Sequence, residues 1–143
     1  MKKMNLSDLL KRGVVRKGEP DKVQAKECLG ASERDLKAAK AMLNADFDWA
    51  FSISYNSMLQ GVRALMFADG YRAVGEDRHK TIVDYADVKI GEKYGAKVRL
   101  FNRMRVKRHS VVYEKANVVS EYEANFAIKT AEEFLEAIKR KMG

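Results

Sequence analysis

Apolar residues recur at intervals of three and four along most of the chain, and this repeat predicts amphipathic helices. A short helix is predicted over residues 7–12, ended by Gly13. The first long helix is predicted over residues 21–44, because Pro20 suits a first helical turn and Asp21 suits a helix N-terminus. Its expected buried residues are Val23, Leu29, Leu36, Ala39, Met42 and Leu43.

A second helix is predicted to follow and to run through Asp69. Asp46 or Asp48 is expected to cap its N-terminus, and Gly70 is expected to stop it after Asp69. One apolar arc contains Phe51, Tyr55, Met58, Leu59, Val62, Leu65 and Met66. Three further apolar residues project on the opposite side: Trp49, Ile53 and Phe67. A helix with two apolar faces is expected at the centre of a bundle or at a subunit interface.

The next part of the chain is divided by glycines. Residues 71–80 read as a polar loop, and a third helix is predicted over residues 79–90. Gly91 and Gly95 are expected to bracket a turn, and a fourth helix follows over residues 97–115.

A fifth helix begins after Ser120, which with Glu123 fits a capping box. Its expected core positions are Ala124, Ala127, Ile128, Ala131, Phe134, Leu135, Ile138 and Met142. No sheet is predicted. The expected fold is therefore all-α, an up-and-down bundle of four to five helices, in which residues 1–19 form a short helix and basic linker and residues 20–143 form the helical domain.

Charge adds a candidate partner to this fold. The 28 Lys and Arg residues exceed the 20 Asp and Glu residues and give a net charge of +8, which favours contact with polyanions such as RNA. Six of the cations lie in one segment without an acid: Lys97, Arg99, Arg103, Arg105, Lys107 and Arg108. The predicted fourth helix therefore has a strongly positive face.

Several function classes are disfavoured by composition. The single Cys28 cannot form an intrachain disulfide, and the two histidines lack zinc-ligand spacing, so no metal is expected. Gly91 and Gly95 are not followed by the Lys-Ser/Thr of a phosphate loop, and no cofactor is expected. No apolar run reaches the ~18 residues of a membrane span and no apolar leader is visible, so a cytoplasmic protein without membrane contact is expected.

Arg108 is the residue that the helical projection singles out. It falls in the apolar arc of the fourth helix formed by Val98, Phe101, Met104, Val111 and Val112. A ridge beside it carries Arg105, His109 and Tyr113. A guanidinium on the core side needs partners. Two interpretations stay open: the side chain reaches the surface or pairs with Asp84, Asp87 or Glu133, or it belongs to a phosphate-binding patch that a symmetry mate completes. His79 is likewise either a packing residue or a ligand contact.

Three stretches of the chain stand out in a fixed order. They are residues 21–40, residues 48–71 followed by His79, and residues 108–113 with the sequence Arg-His-Ser-Val-Val-Tyr. Together they resemble the HEPN domain family (higher eukaryotes and prokaryotes nucleotide-binding), especially its small prokaryotic members. The resemblance covers about residues 20–140. It implies a bundle like that of nucleotidyltransferase substrate-binding subunits, and a homodimer.

The family's signature is an arginine, a polar residue and, a few positions later, a histidine, which form a metal-independent ribonuclease site at the dimer interface of the RNA-cleaving members. Arg108 matches the arginine and His109 the polar residue, but Tyr113 occupies the histidine position. A second register takes Arg103 with His109. A tyrosine, with an ordinary pKa near ~10, is a poor general base at neutral pH.

The resemblance and the charge pattern together predict a dimeric RNA- or nucleotide-binding module. The implied partner is a minimal nucleotidyltransferase of a toxin–antitoxin pair. The alternatives are a metal-independent endoribonuclease and a noncatalytic dimerising scaffold. The candidate catalytic residues are His109, Arg108 and Tyr113. The candidate binding residues are Arg103, Arg105, Lys107, Arg108, Arg99 and His79.

Overall fold

The computed structural model describes residues 3–143, which form five helices and two short strands. The elements are α1 (Leu6–Lys11), β1 (Val15–Lys17), α2 (Lys22–Met42), α3 (Phe47–Asp69), β2 (Tyr71–Ala73), α4 (Arg78–Tyr113) and α5 (Glu121–Met142). The predicted all-α bundle is confirmed.

Helix α3 lies at the centre of the bundle and packs against α2, α4 and α5. Its predicted apolar arc is buried throughout, from Phe51 to Met66. The predicted core of α5 is also confirmed, with Met142 partly buried at the end of the helix. A two-faced α3 is therefore explained by its central position, although Trp49 on its first turn is exposed.

Helix α2 contacts α3 through small residues. The Ser32 hydroxyl donates to the carbonyl of Ser57 at 2.6 Å, and the Ser57 hydroxyl donates to the carbonyl of Ser32 at 2.7 Å. The predicted burial of Val23 is wrong, because its side chain is 69% exposed. The buried side of α2 follows Ala25, Cys28 and Ser32, and Val23 projects away from it.

The helix ends follow the predicted caps. The Asp21 carboxylate accepts the N–H of Gln24, and Asp46 caps α3 by accepting the N–H of Trp49. Asp48, the alternative cap, instead accepts the backbone N–H groups of Asn117 and Val119 and so fixes the connection from α4 to α5. The capping box of Ser120 and Glu123 is present.

The expectation of no sheet is wrong in one place. Strands β1 and β2 form an antiparallel ribbon that pairs Val15 with Ala73 and Lys17 with Tyr71. Three-residue strands are too short to show a period of two, so the hydrophobic pattern did not reveal them. The ribbon places the basic linker that follows α1 beside the C-terminus of α3.

The predicted third and fourth helices are one helix, α4, with a kink. Tyr94 alone has a non-helical conformation, φ −120° and ψ 31°, between Gly91 and Gly95. Glycine lowers helix propensity by only about 1 kcal/mol, which tertiary packing overrides. As a result the basic segment belongs to a helix that starts at Arg78, next to β2.

Candidate nucleic-acid interface

Arg108 lies on the inner side of α4 and is partly buried against α3. Its guanidinium carbon is 5.5 Å from the centre of the Tyr55 ring, and Tyr55 is fully buried. Within residues 3–143, the Arg108 Nε atom is buried and has no hydrogen-bond partner. The ring face attracts the cation but leaves the guanidinium hydrogen-bond donors for another group.

Three acids were considered as partners of Arg108, and two of them are engaged by lysines. Glu133 accepts a hydrogen bond from Lys97 at 2.8 Å, and this contact lowers the pKa of the Glu133 carboxyl. Asp84 pairs with Lys80 at 2.5 Å. Among the ion pairs of the described residues, none joins Arg108 to Asp84, Asp87 or Glu133. None of these three carboxylates therefore neutralises the Arg108 guanidinium.

Tyr55, His79 and Arg108 form one cluster, called here the Tyr55 cluster. The Tyr55 hydroxyl is 3.0 Å from Nδ1 of His79, and the two ring centres are 5.8 Å apart. Burial raises the pKa of Tyr55 to about 12, although Arg108 and Arg105 oppose that change. Burial lowers the pKa of His79, and the positive charges of Arg108 and Arg105 lower it further.

These two pKa changes favour the neutral forms of both side chains at neutral pH. The direction of their hydrogen bond then follows the tautomer of the imidazole. In the Nε2–H tautomer the Tyr55 hydroxyl donates to Nδ1 and Nε2–H is a further donor. In the Nδ1–H tautomer the imidazole donates to the phenol oxygen and Nε2 is an acceptor.

The other catalytic candidates project from a different side of α4. His109 and Tyr113 are exposed and stack on each other with ring centres 5.2 Å apart. Nε2 of His109 is 3.9 Å from a carboxylate oxygen of Glu114. Positions 108 and 113 differ by about 140° around a helix, so one protomer does not bring Arg108 and Tyr113 into one pocket.

In the basic segment, residues 97–108, the lysines form ion pairs with acids and the arginines do not. Lys107 pairs with Glu123, just as Lys97 pairs with Glu133. Arg105 donates from Nε to the side-chain oxygen of Asn102 at 3.0 Å and remains partly exposed. Arg99 and Arg103 are exposed one turn apart on the outer face of α4, the face that also carries Val106, His109 and Tyr113. Within this segment, the cations that lie outside ion pairs are therefore arginines.

The structure adds residues that the sequence did not single out. Tyr55 was expected only as a core residue, yet it joins His79 to Arg108. A cavity of about 390 Å³ lies between α3, β2 and the start of α4. It is called here the arginine cavity, because Arg63, Arg72 and Arg78 line it together with His79. These residues are far apart in sequence, and no single motif contains them.

Among residues 3–143, no group of three His, Cys, Asp or Glu side chains is arranged to hold a metal ion. Over the same residues, none of the helices has the length and apolar character to cross a membrane.

The fold and the site are thus those of an all-helical bundle with a partly buried arginine on a long basic helix. The family model of the HEPN domain matches residues 25–141, which is most of the chain. The chain therefore belongs to the HEPN domain family, and the resemblance seen in the sequence is confirmed. A comparison with curated proteins finds no match.

Proposed function

We propose that the protein is a homodimeric RNA-binding module that holds phosphate groups with Arg108 and Arg105 on α4. The observation that carries this proposal is the buried, unpaired Nε of Arg108 above the Tyr55 ring. A partly buried guanidinium without a carboxylate is costly for folding, and phosphate oxygens can supply its missing bidentate partner. A residue that costs stability in the free protein is expected where a ligand needs it.

Further arginines lie on the other side of the same helix. Arg99 and Arg103 are on the outer face of α4, and Arg99 is nine positions from Arg108, about 14 Å along the helix and about 180° around it. The arginines are therefore spread around α4 instead of focused on one point. Cations spread in this way suit the backbone of RNA, whose recognition by cations is sequence-independent and salt-dependent.

The test replaces Arg108 with an apolar side chain of similar length, in Arg108→Met. We expect binding to a labelled single-stranded RNA to weaken about tenfold or more, because hydrogen bonds to charged groups contribute roughly that much. We also expect the free energy of unfolding to stay unchanged or rise by about 1 kcal/mol, because a buried charge is removed. Fluorescence anisotropy at several salt concentrations and urea unfolding measure the two effects.

Arg34→Met on the exposed side of α2 is the matched control, and it should change neither quantity much. The slope of log affinity against log salt should become shallower in Arg108→Met, by about one for each phosphate that Arg108 neutralises in the wild type. A variant that keeps full RNA affinity but loses stability would contradict the proposal and leave Arg108 with a packing role.

The same samples separate the other predicted functions. RNA cleavage in EDTA that disappears in His109→Ala would assign the metal-independent endoribonuclease. RNA binding that is absent in the wild type would favour the dimerising scaffold. The minimal nucleotidyltransferase partner stays a prediction, which co-purification with the product of a neighbouring gene would test.

A further inference from the structure

We propose that the arginine cavity is a second binding site, which takes the terminal phosphate of a nucleotide, either free or at the end of an RNA. This site is distinct from Arg99, Arg103, Arg105 and Arg108 of α4, whose proposed ligands are the phosphodiesters within an RNA chain. Its cations come from three separate elements: Arg63 from α3, Arg72 from β2 and Arg78 from the first turn of α4.

The charge of the cavity favours a dianion. Three guanidiniums line it, and within the described chain its lining residues include no carboxylate. Two acids lie beside it: Asp21 is 3.8 Å from Arg72, and Asp77 precedes Arg78 at the start of α4. The excess of cations is matched better by a terminal phosphate, with a charge of about −1.5 to −2, than by the single charge of a phosphodiester.

The guanidiniums are held in place before any ligand arrives. Those of Arg63 and Arg72 lie 5.8 Å and 5.4 Å from the centre of the Phe67 ring. Arg63 also donates to the side chain of Gln60 at 3.1 Å, and Nε of Arg78 donates to the carbonyl of Gly75 at 2.9 Å. Arginines fixed in this way lose less conformational freedom on binding, which strengthens recognition of phosphate.

His79 adds an imidazole to the cations. It lines the cavity, and the tautomer in which Nδ1 accepts from the Tyr55 hydroxyl carries its ring proton on Nε2. In that tautomer the neutral imidazole can donate to a phosphate oxygen without adding charge. The arginine cavity and the Tyr55 cluster thus share this one residue.

The remaining walls explain why the ligand is expected to carry an organic part. Leu59, Met66 and Ile82 provide an apolar lining next to Phe67. The volume of about 390 Å³ falls within the range of roughly 300–1,000 Å³ for small-molecule sites, which combine apolar walls with a few fixed polar groups. A phosphate with its attached nucleoside fits that description better than a bare phosphate ion.

The test compares one short single-stranded RNA in three forms, with a 5′-phosphate, with a 3′-phosphate and with hydroxyls at both ends, and adds AMP as a free nucleotide. We expect the wild type to bind one phosphorylated form about tenfold more tightly than the hydroxyl form, or to bind AMP in calorimetry. In Arg72→Gln/Arg78→Gln this preference and AMP binding should be abolished, while the hydroxyl form still binds. Arg34→Gln/Lys37→Gln removes the same charge from the exposed side of α2 and should retain both.

The results of this test separate binding in the arginine cavity from the RNA binding that is proposed for Arg108. A preference for a phosphorylated end assigns the cavity to RNA ends, and AMP binding without that preference assigns it to a free nucleotide. Arg108→Met should weaken all three RNAs and keep their ratio. The proposal is overturned if the wild type neither distinguishes the three RNAs nor binds AMP, or if the double variant keeps the discrimination. Protection of the wild type by AMP against thermal unfolding provides a readout that needs no variant.

Discussion

The pKa of His79 shows how the surroundings of one side chain make a contribution to folding depend on pH. Burial, Arg108 and Arg105 lower its pKa from the ordinary value of 6.5. The unfolded chain therefore takes up a proton at a higher pH than the folded protein does. By linkage the contribution of His79 to the free energy of unfolding is complete above about pH 6.5 and is lost as the pH falls toward the lower, folded pKa.

We expect the free energy of unfolding of the wild type to decrease between pH 7.5 and pH 5.5, and we expect this decrease to be smaller in His79→Gln. Glutamine keeps a polar partner for the Tyr55 hydroxyl but does not titrate. Urea unfolding followed by circular dichroism at a series of pH values measures the effect. His109→Gln, on the outer face of α4, is the control and should retain the wild-type decrease. Equal pH dependence in His79→Gln and the wild type would show that His79 is not the group responsible.

The sequence predicted part of this site. The angular projection placed Arg108 in an apolar arc, and the structure has its side chain partly buried above Tyr55. Its contact with Tyr55 was not predicted, because helical periodicity describes one helix at a time. The bond between Tyr55 and His79 joins residues 24 positions apart on different helices. Such pairings depend on how α3 and α4 cross, which no local pattern encodes.

At the scale of elements, the C-terminus of α3 holds the ribbon in place through backbone hydrogen bonds. Gly70 ends the helix with φ +88°, a conformation that glycine adopts without cost. Its carbonyl accepts the N–H of Gly18 at 2.7 Å, and the Phe67 carbonyl accepts the N–H of Asp21 at 2.8 Å. Two successive stretches of the chain, the end of β1 and the start of α2, are therefore fixed to this one helix end.

We expect Gly70→Ala to lower the free energy of unfolding by roughly 2–4 kcal/mol, from left-handed strain plus overpacking. A Cβ there would lie 2.7 Å from the carbonyl oxygen of Gly18, a backbone atom that cannot move aside alone. Gly75 has the same φ of +88° but open space around its Cβ position, so Gly75→Ala should cost only about 1 kcal/mol. Denaturant unfolding of both variants measures the difference, and equal losses would show that the close approach to Gly18 contributes nothing.

The helix boundaries could be predicted from the sequence, whereas the contact of the ribbon with the C-terminus of α3 could not. Asp21, Asp46 and Ser120 act through hydrogen bonds to residues three positions away, so a local pattern contains both partners. The pairing of β1 with β2 connects residues more than fifty positions apart. The merging of two predicted helices into α4 likewise depended on packing, which overrode two glycines near Tyr94.

For the molecule as a whole, the placement of acids decides where positive charge remains. Helix α5 carries Glu123 and Glu133, and these neutralise Lys107 and Lys97 of α4. The arginines of α4 lie outside these pairs, along its outer face and above Tyr55. In this basic segment of α4 the positive charge outside ion pairs is thus carried by guanidiniums, the group best suited to bidentate contact with phosphate. The predicted binding role of Lys107 has to compete with its ion pair to Glu123.

The outer face of α4 also carries the apolar residues expected of a subunit contact. Val106 is 58% exposed and Tyr113 is 68% exposed, and a spacing of seven places them on one side of the helix. Exposed apolar residues that are aligned along a helix are more consistent with a helix–helix contact than isolated ones. A symmetric contact there would bring the His109 and Arg103 side chains of two protomers together, as the family signature implies.

We expect the wild type to have about twice the 16.3 kDa mass of one chain in light scattering after size-exclusion chromatography. Val106→Lys should dissociate this dimer, because it buries a further cation at an interface where the Arg103 side chains of two protomers already meet, which costs several kcal/mol. Val23→Lys is the matched control, since Val23 is a similarly exposed valine on α2, and this variant should remain dimeric. A wild type of single-chain mass would show that the homodimer prediction is wrong. A Val106→Lys variant that stays dimeric would place the contact on a surface other than the outer face of α4.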